Sequence, residues 1–283
     1  METDMRFADL YLKVSPETVA SLRAFRNEYA PKKLRVNGAA WEYTALGQGD
    51  ETILFLHGMT GAYDIWWQQM AALQKQYRLI SLTYPPVDTL KGMAAAVLAI
   101  LDAESAKRVN LVGTSLGGYF SQYLVAHHPD RILRAVFSNT FPPNDLIAAR
   151  NRTIGMALPY LPEWFVLNFL RSNFQKSIYP ASGYDELTLA FLMEIGLGRM
   201  GKAQVLARYR CVVDPFPAPD PSALDIPVMI VEADNDPLVE RTLREQLKAT
   251  YPSARVHTFS GAGHFLYLNH PEEFTSLLAG FFK

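Results

Sequence analysis

The sequence has one cysteine, almost no net charge and no long uninterrupted hydrophobic run, and each shortage excludes a class of protein. The single cysteine, Cys211, excludes an internal disulfide and favours a reducing compartment, so we expect a cytoplasmic location. A net charge of −1 over 283 residues gives no field that would attract nucleic acid or an anionic membrane. The most apolar stretch, residues 155–170, contains two prolines and a glutamate, which argues against a membrane span.

What the sequence does contain, from residue 51 onward, is an alternation of short apolar runs and amphipathic stretches. The apolar runs, each with the length and composition of a buried strand, are residues 52–56, 78–82, 109–113, 134–139, 228–232 and 255–259. Helical patterns separate most of these runs. The alternation predicts an α/β protein with a mostly parallel central sheet flanked by helices.

The alternation stops between residues 141 and 219, where the sequence becomes helical in pattern and rich in aromatic residues before a proline-rich return. We therefore predict an inserted helical cap over residues 141–219. The α/β core would then comprise residues 1–140 and 220–283. The cap is also a candidate surface for a homodimer.

The segment VNLVGTSLGGYF, residues 109–120, places Ser115 between Gly113 and Gly117 at the junction of a predicted strand and a predicted helix. Glycines on both sides indicate a turn too tight for a Cβ atom on the neighbouring residues. A strand, Gly-x-Ser-x-Gly and a helix in this order are typical of the nucleophile elbow of the α/β-hydrolase fold. Ser115 is therefore the candidate nucleophile.

A serine hydroxyl needs a base to remove its proton, and His264 is the candidate. His264 lies in SGAGHFLYL, a glycine-rich loop between the last predicted strand and the last helix, where this fold places its histidine. The other histidines have simpler structural interpretations at helix ends, in a strand or in another motif: His57, His127, His128, His257 and His270.

The base in turn needs a carboxylate to hold its tautomer, and EADNDPLV follows the strand at residues 228–232. Asp236 is the preferred candidate and Asp234 is the alternative. Either could instead be a turn residue, because Asp-Pro and Asn-Asp are common in loops.

Two backbone N–H groups are expected to stabilise the oxyanion of an acyl-transfer reaction, those of Met59 and Leu116. Met59 lies in FLHGMTG, which is similar to the oxyanion loop of this fold, and His57 is expected to support that loop. The expected pocket walls include Trp66 or Trp67, together with aromatic residues of the cap; the specific candidates are Trp66, Phe141 and Trp164. Asp64 is interpreted as a helix N-cap or as a contact for a polar substrate.

The sequence resembles the α/β-hydrolase superfamily over its whole length and, within it, maspardin and its relatives. The segments that carry the second resemblance are FRNEYAPKK, DIWWQQMAAL, LTYPPV, GTSLGGYFSQ, LNFL, QVLARYRCVV, DIPVMIVEADND and YPSARVHTFSGAGHFLYL. The maspardin group resembles an α/β-hydrolase whose triad has decayed, and it is known for protein binding. This chain departs from that pattern because it carries His264 and Asp236.

The resulting hypothesis is a serine hydrolase that cleaves small or medium apolar carboxylic esters through an acyl-enzyme on Ser115. Its substrate would be a small molecule, and no metal or organic cofactor is expected. One alternative is a non-catalytic, protein-binding adaptor. Another is an acyltransferase or carbon–carbon hydrolase that uses the same three side chains.

Overall fold

The structure, a computed structural model, describes residues 7–218 and 225–283, apart from the side chains of residues 151 and 154. Within these residues eight strands form one sheet: β1 Lys32–Val36, β2 Ala39–Gly47, β3 Thr52–Leu56, β4 Arg78–Thr83, β5 Val109–Thr114, β6 Ile132–Ser138, β7 Val228–Ala233 and β8 Arg255–Phe259. Their order across the sheet is β1-β2-β4-β3-β5-β6-β7-β8.

Strands β3 to β8 run parallel to one another, whereas β2 is antiparallel to both β1 and β4. β1 and β2 form a hairpin that turns at Asn37 and Gly38, both with positive φ, at 50° and 83°. That pair of angles is typical of the two-residue turns that match the twist of a hairpin.

The longer helices have seven to fourteen residues each. They are α1 Pro16–Glu28, α2 Trp67–Leu73, α3 Leu90–Ala103, α4 Leu116–His127, α5 Leu146–Ala157, α6 Glu163–Asn173, α7 Glu186–Glu194, α8 Lys202–Val212, α9 Arg241–Thr250 and α10 Pro271–Phe281. Shorter turns of helix are Tyr63–Trp66, Pro129–Arg131, Leu158–Tyr160, Tyr179–Ala181 and Leu266–Asn269. Two π-helical turns, Phe174–Ile178 and Ile195–Arg199, extend α6 and α7.

The core has two apolar layers, one on each face of the sheet. Ile53 and Phe55 of β3 belong to one layer, and Leu54 and Leu56 belong to the other. All five residues of β3 are buried, as expected for a strand that is covered on both faces. The predicted α/β class with a mostly parallel sheet is therefore confirmed.

Between β6 and β7 the regular secondary structure is helical, from Leu146 to Val212. These helices fall inside the predicted cap of residues 141–219, and the predicted return to the core at residue 220 lies outside the described residues. Nowhere in residues 7–218 or 225–283 is a helix both long and apolar enough to cross a membrane.

Candidate active site

Ser115 lies at the sharp corner between β5 and α4, with φ 54° and ψ −121°. A non-glycine residue in this region of backbone space is strained and persists where the surrounding structure enforces it. The two glycines explain how the corner closes. A Cβ on Gly113 would lie 2.2 Å from the carbonyl oxygen of Gly117, and one on Gly117 would lie 2.1 Å from that of Leu56.

Hydrogen bonds to β6 and to the segment that follows it hold this corner in place. The Ser115 N–H donates to the carbonyl of Ser138, at 3.0 Å. The Thr140 hydroxyl donates to the carbonyl of Ser115, at 2.7 Å. With its backbone fixed on both sides, Ser115 presents its half-buried side chain to a cavity above the sheet.

His264 and Asp236 form a buried pair at the same edge of the sheet. His264 Nδ1 lies 2.8 Å from Asp236 Oδ2 and 3.0 Å from Oδ1. Because an ionised carboxylate only accepts hydrogen bonds, Nδ1 is the donor and Nε2 is left to accept a proton. Asp236 Oδ1 also accepts from the N–H groups of Leu238 and Val239, at 2.8 and 3.1 Å, which fixes the carboxylate.

Asp234, the alternative acid, is used elsewhere in the loop. Its carboxylate accepts from the hydroxyl of Ser260 and the N–H of Gly261, at 2.9 and 2.8 Å. These hydrogen bonds lower the pKa of Asp234. The geometry therefore pairs His264 with Asp236 and gives Asp234 a role in shaping the loop before His264.

Two asparagines that the sequence reasoning did not single out hold the His264 loop. Asn139, directly after β6, donates to the carbonyls of Gly263 and His264, both at 2.9 Å. Asn235 accepts from the Gly263 N–H at 2.8 Å and donates to the carbonyl of Ala181. Each is a polar residue just beyond the carboxyl end of a parallel strand, which is the signal that could have identified it.

The predicted oxyanion loop lies beside Ser115. An idealised Cβ on Gly58 would be 3.1 Å from Ser115 Cβ and 3.7 Å from its Oγ. Met59 follows in this loop, and Leu116 is the first residue of α4, where helical N–H groups have no intrahelical acceptor. Met59 also lines the cavity with Ser115, and both N–H groups stay predicted oxyanion donors.

His57 supports the oxyanion loop from below. Its Nδ1 lies 2.6 Å from the carbonyl oxygen of Gly58, and its Nε2 lies 3.4 Å from the Tyr84 N–H. These partners require a neutral ring with the proton on Nδ1. Burial, aided by the Arg208 cation, lowers the pKa of His57 well below its usual range, which favours the same form. Since the Gly58 carbonyl and the Met59 N–H share one peptide, His57 orients that N–H.

The cavity next to Ser115 has a volume of about 490 Å³, within the range of small-molecule sites. Three predicted residues besides Ser115 line it: Met59, His264 and Phe141. Its other walls are mainly apolar side chains from the cap and core: Ile147, Phe169, Leu170, Phe174, Ile178, Val212, Leu238, Leu243 and Phe265. In the described part of the chain, no cluster of three or more His, Cys, Asp or Glu side chains could hold a metal ion.

The structure does not place Trp66 or Trp164 in this cavity, so the expectation for both is wrong. Trp66 is fully buried under the sheet and stacks on Tyr267, with ring centroids 4.2 Å apart. Trp164 is 64% exposed on α6 and contacts Phe165 edge to face. Trp67, the other tryptophan considered, is also fully buried and packs parallel to Phe191.

Asp64 is neither an N-cap nor a wall of the cavity. Its carboxylate is fully buried and pairs with Arg26 Nε at 2.6 Å and Arg199 Nη2 at 2.8 Å. Burial raises the pKa of this carboxyl, but the two guanidinium groups outweigh that effect and lower it. Asp64 therefore links α1, the segment after the oxyanion loop and the cap through one buried ion-pair cluster.

Comparisons with known proteins agree with this architecture. Maspardin from Danio rerio is 25% identical over 222 residues, covering 76% of this chain and 69% of maspardin. A 2-hydroxy-6-oxononadienedioate/2-hydroxy-6-oxononatrienedioate hydrolase from Burkholderia vietnamiensis is 24% identical, covering 85% of this chain and 90% of the relative. Esterase YbfF from Escherichia coli is 25% identical, covering 78% of this chain and 88% of YbfF.

A solved structure of a hydrolase from Pseudomonas aeruginosa shares the fold, with a TM-score of 0.74 at 19% identity, over 89% of this chain and 98% of that one. The family model described as the alpha/beta hydrolase fold matches residues 51–271, which is most of the chain. That stretch contains the Ser115 corner, the oxyanion loop and the Asp236–His264 pair. This chain therefore belongs to the α/β-hydrolase family.

Proposed function

We propose that the protein is a serine hydrolase that cleaves small or medium apolar carboxylic esters through an acyl-enzyme on Ser115. One observation carries the proposal: His264, which pairs with the buried Asp236, and the strained Ser115 line the same mainly apolar cavity. A nucleophile, a base and a group that orients the base are the components of nucleophilic acyl transfer. A relative named as an esterase adds support.

In the first half of the proposed reaction, Ser115 Oγ attacks the ester carbonyl carbon while His264 Nε2 accepts the hydroxyl proton. The carbonyl π electrons move to the oxygen and form a tetrahedral oxyanion. The oxyanion collapses, the bond to the alcohol oxygen breaks, and the departing alcohol takes the proton from His264. The products of this half are the free alcohol and an ester between Ser115 and the acyl group.

In the second half, a water molecule gives a proton to His264 Nε2 and attacks the acyl carbon. A second tetrahedral oxyanion forms and expels Ser115 Oγ, which recovers the proton. Asp236 holds the ring through Nδ1 in both halves and stabilises the imidazolium each time it forms. The Met59 and Leu116 N–H groups hold the oxyanion, a contribution of about 3 kcal/mol per donor in the transition state.

Direct ester hydrolysis tests this proposal. We expect the wild type to hydrolyse p-nitrophenyl butyrate and Ser115→Ala to lose about 10⁴-fold or more in kcat. Ser253→Ala, an exposed serine in the turn before β8, serves as the matched control and should keep wild-type kcat. An equal rate in Ser115→Ala and Ser253→Ala, on folded protein, would remove Ser115 from the reaction.

A protein-binding adaptor remains the second candidate because the cap exposes several large apolar side chains. Met156, Tyr160, Trp164 and Phe169 are between 59% and 89% exposed. Exposed apolar groups of this kind are typical of interaction surfaces when they form one patch. Folded wild type without activity on any p-nitrophenyl ester would favour this candidate.

A further inference from the structure

One buried arginine of the cap contacts the backbone of the oxyanion loop. Arg208 lies on α8 and is only 1% exposed. Its Nη1 donates to the carbonyl oxygen of Met59 at 2.6 Å and lies 3.2 Å from that of Gly61. Its Nη2 donates to the carbonyl of Tyr84, at 3.0 Å. One side chain of the cap thus contacts three backbone carbonyls of the core.

This guanidinium is unusual because backbone carbonyls replace the carboxylate that a buried arginine normally requires. Among the described residues no carboxylate pairs with Arg208, and its Nε has no hydrogen-bond partner there. Burial lowers the pKa of Arg208 to about 10, so the group still carries its charge at neutral pH. Such a costly arrangement calls for a role beyond packing.

The hydrogen bonds restrict the loop from two sides. His57 Nδ1 donates to the Gly58 carbonyl, whose peptide carries the Met59 N–H. Arg208 donates to the carbonyls of Met59 and Gly61. With these carbonyls occupied, the peptides of the loop cannot rotate without breaking a hydrogen bond to a buried group. Preorganised donors are more effective than mobile ones, because no reorganisation is needed when the oxyanion forms.

We propose that Arg208 is a positioning residue through which the cap holds the Met59 N–H in the orientation that receives the oxyanion. The inference rests on the proposed function, since it assigns a residue to that same reaction. It implies that cap and core form one catalytic unit: the cap encloses the substrate and also supports the oxyanion site. Arg208 lies outside the set of residues that line the cavity, so its effect passes through the loop.

The test compares Arg208→Lys and Arg208→Met with Arg210→Met on the same helix. Arg210 is exposed and pairs with Asp88, so it reproduces the loss of a charge from α8 without touching the loop. For each variant we would measure kcat and KM for p-nitrophenyl butyrate, the Tm, and the hydrogen exchange of the amides in residues 57–62.

We expect Arg208→Met to lower kcat by about 100-fold with KM within about threefold of wild type, as for the loss of one oxyanion donor. Arg208→Lys, which keeps the charge and one donor, should have a kcat at least tenfold higher than that of Arg208→Met. The loop amides should exchange faster in Arg208→Met than in Arg210→Met. Arg210→Met should match the wild type in all four measurements.

Three results would overturn the inference: equal kcat in the Arg208 and Arg210 variants, a raised KM at unchanged kcat, or no recovery with lysine in a variant that melts like the wild type. If Arg208→Met does not fold, the exchange of the loop amides in Arg208→Lys decides: faster exchange than in Arg210→Met supports the inference, and equal exchange overturns it. If the wild type itself hydrolyses no ester, the proposed function fails. The exchange rates then decide whether Arg208 holds the loop.

Discussion

At the residue scale, two aspartates two positions apart offer a matched comparison of the carboxylate that faces His264. Asp236 contacts Nδ1 and is buried, whereas Asp234 is exposed and bonds to the loop around Ser260. Asp236→Asn replaces the acceptor by an amide and no longer holds the ring with its proton on Nδ1. We expect kcat for p-nitrophenyl butyrate to fall by about 10³–10⁴-fold, with little change in Tm.

Asp234→Asn is the control for that measurement, because it makes the same chemical change in the same loop. Its kcat should stay within about threefold of the wild type. A larger loss in Asp234→Asn than in Asp236→Asn would contradict the assignment of the acid.

Sequence reasoning at this scale found the residues that carry a motif and missed those defined by a distant partner. Ser115 and His264 stand in local patterns that indicate their position in the fold. Trp66 and Asp64 carry no such pattern: Trp66 packs against Tyr267, and Asp64 pairs with Arg26 and Arg199. Those partners are up to 201 positions away in the chain, so no local window contains the information.

At the element scale, Gly117 at the strand-to-helix corner and Gly280 in α10 should respond in opposite ways to substitution by alanine. A Cβ on Gly117 would lie 2.1 Å from the Leu56 carbonyl oxygen, and backbone on both sides must move to accept it. A Cβ on Gly280 in α10 would contact nothing within 4 Å. Gly117→Ala should therefore lower the free energy of unfolding by several kcal/mol and abolish ester hydrolysis.

Gly280→Ala should raise the free energy of unfolding by about 0.5 kcal/mol, because alanine fits the helical backbone in the last turn of α10 and has fewer conformations than glycine in the unfolded chain. Urea unfolding of both variants checks the pair of predictions. A Gly117→Ala protein with wild-type stability and activity would show that the corner is not as tight as described.

The strands that could be predicted from the sequence are short runs of apolar and β-branched residues, whether fully buried like β3 or mostly exposed like β8. The predicted strand 52–56 matches β3, and the strand predicted at 255–259 matches β8. The sequence analysis did not predict the hairpin of β1 and β2, although Asn37-Gly38 is a strong turn signal, because these antiparallel strands precede the strand–helix alternation that begins at residue 51. α1 was also missed, although Ser15 caps it and Pro16 opens it.

At the scale of the whole molecule, the buried neutral His57 predicts how stability depends on pH. Its pKa is well below its usual range because it is buried, with Arg208 adding to the effect, whereas the unfolded chain titrates near pH 6.5. Below that pH the unfolded state binds one more proton at this residue than the folded state does. The folded state therefore loses up to about 1.4 kcal/mol per pH unit as the pH falls below 6.5, and nothing above it.

His57→Asn removes this titration while retaining a side-chain N–H for the Gly58 carbonyl. Urea unfolding between pH 7.5 and 5.0 should give a shallower loss of stability in His57→Asn than in the wild type. His257→Asn, the same substitution at a half-buried histidine on β8 whose Nε2 lies 3.2 Å from Glu273, is the matched control for the change of residue. Parallel curves for wild type and His57→Asn would show that His57 does not titrate in this way.

The most direct test of the central claim is covalent labelling of the serine itself, because it needs no knowledge of the natural substrate. Purified wild type, Ser115→Ala and His264→Ala would be treated with a fluorophosphonate and their intact masses measured. We predict one adduct on the wild type and none on either variant, since only a serine activated by His264 reacts. No adduct on folded wild type, or an adduct that survives in Ser115→Ala, would contradict the claim that Ser115 is the nucleophile.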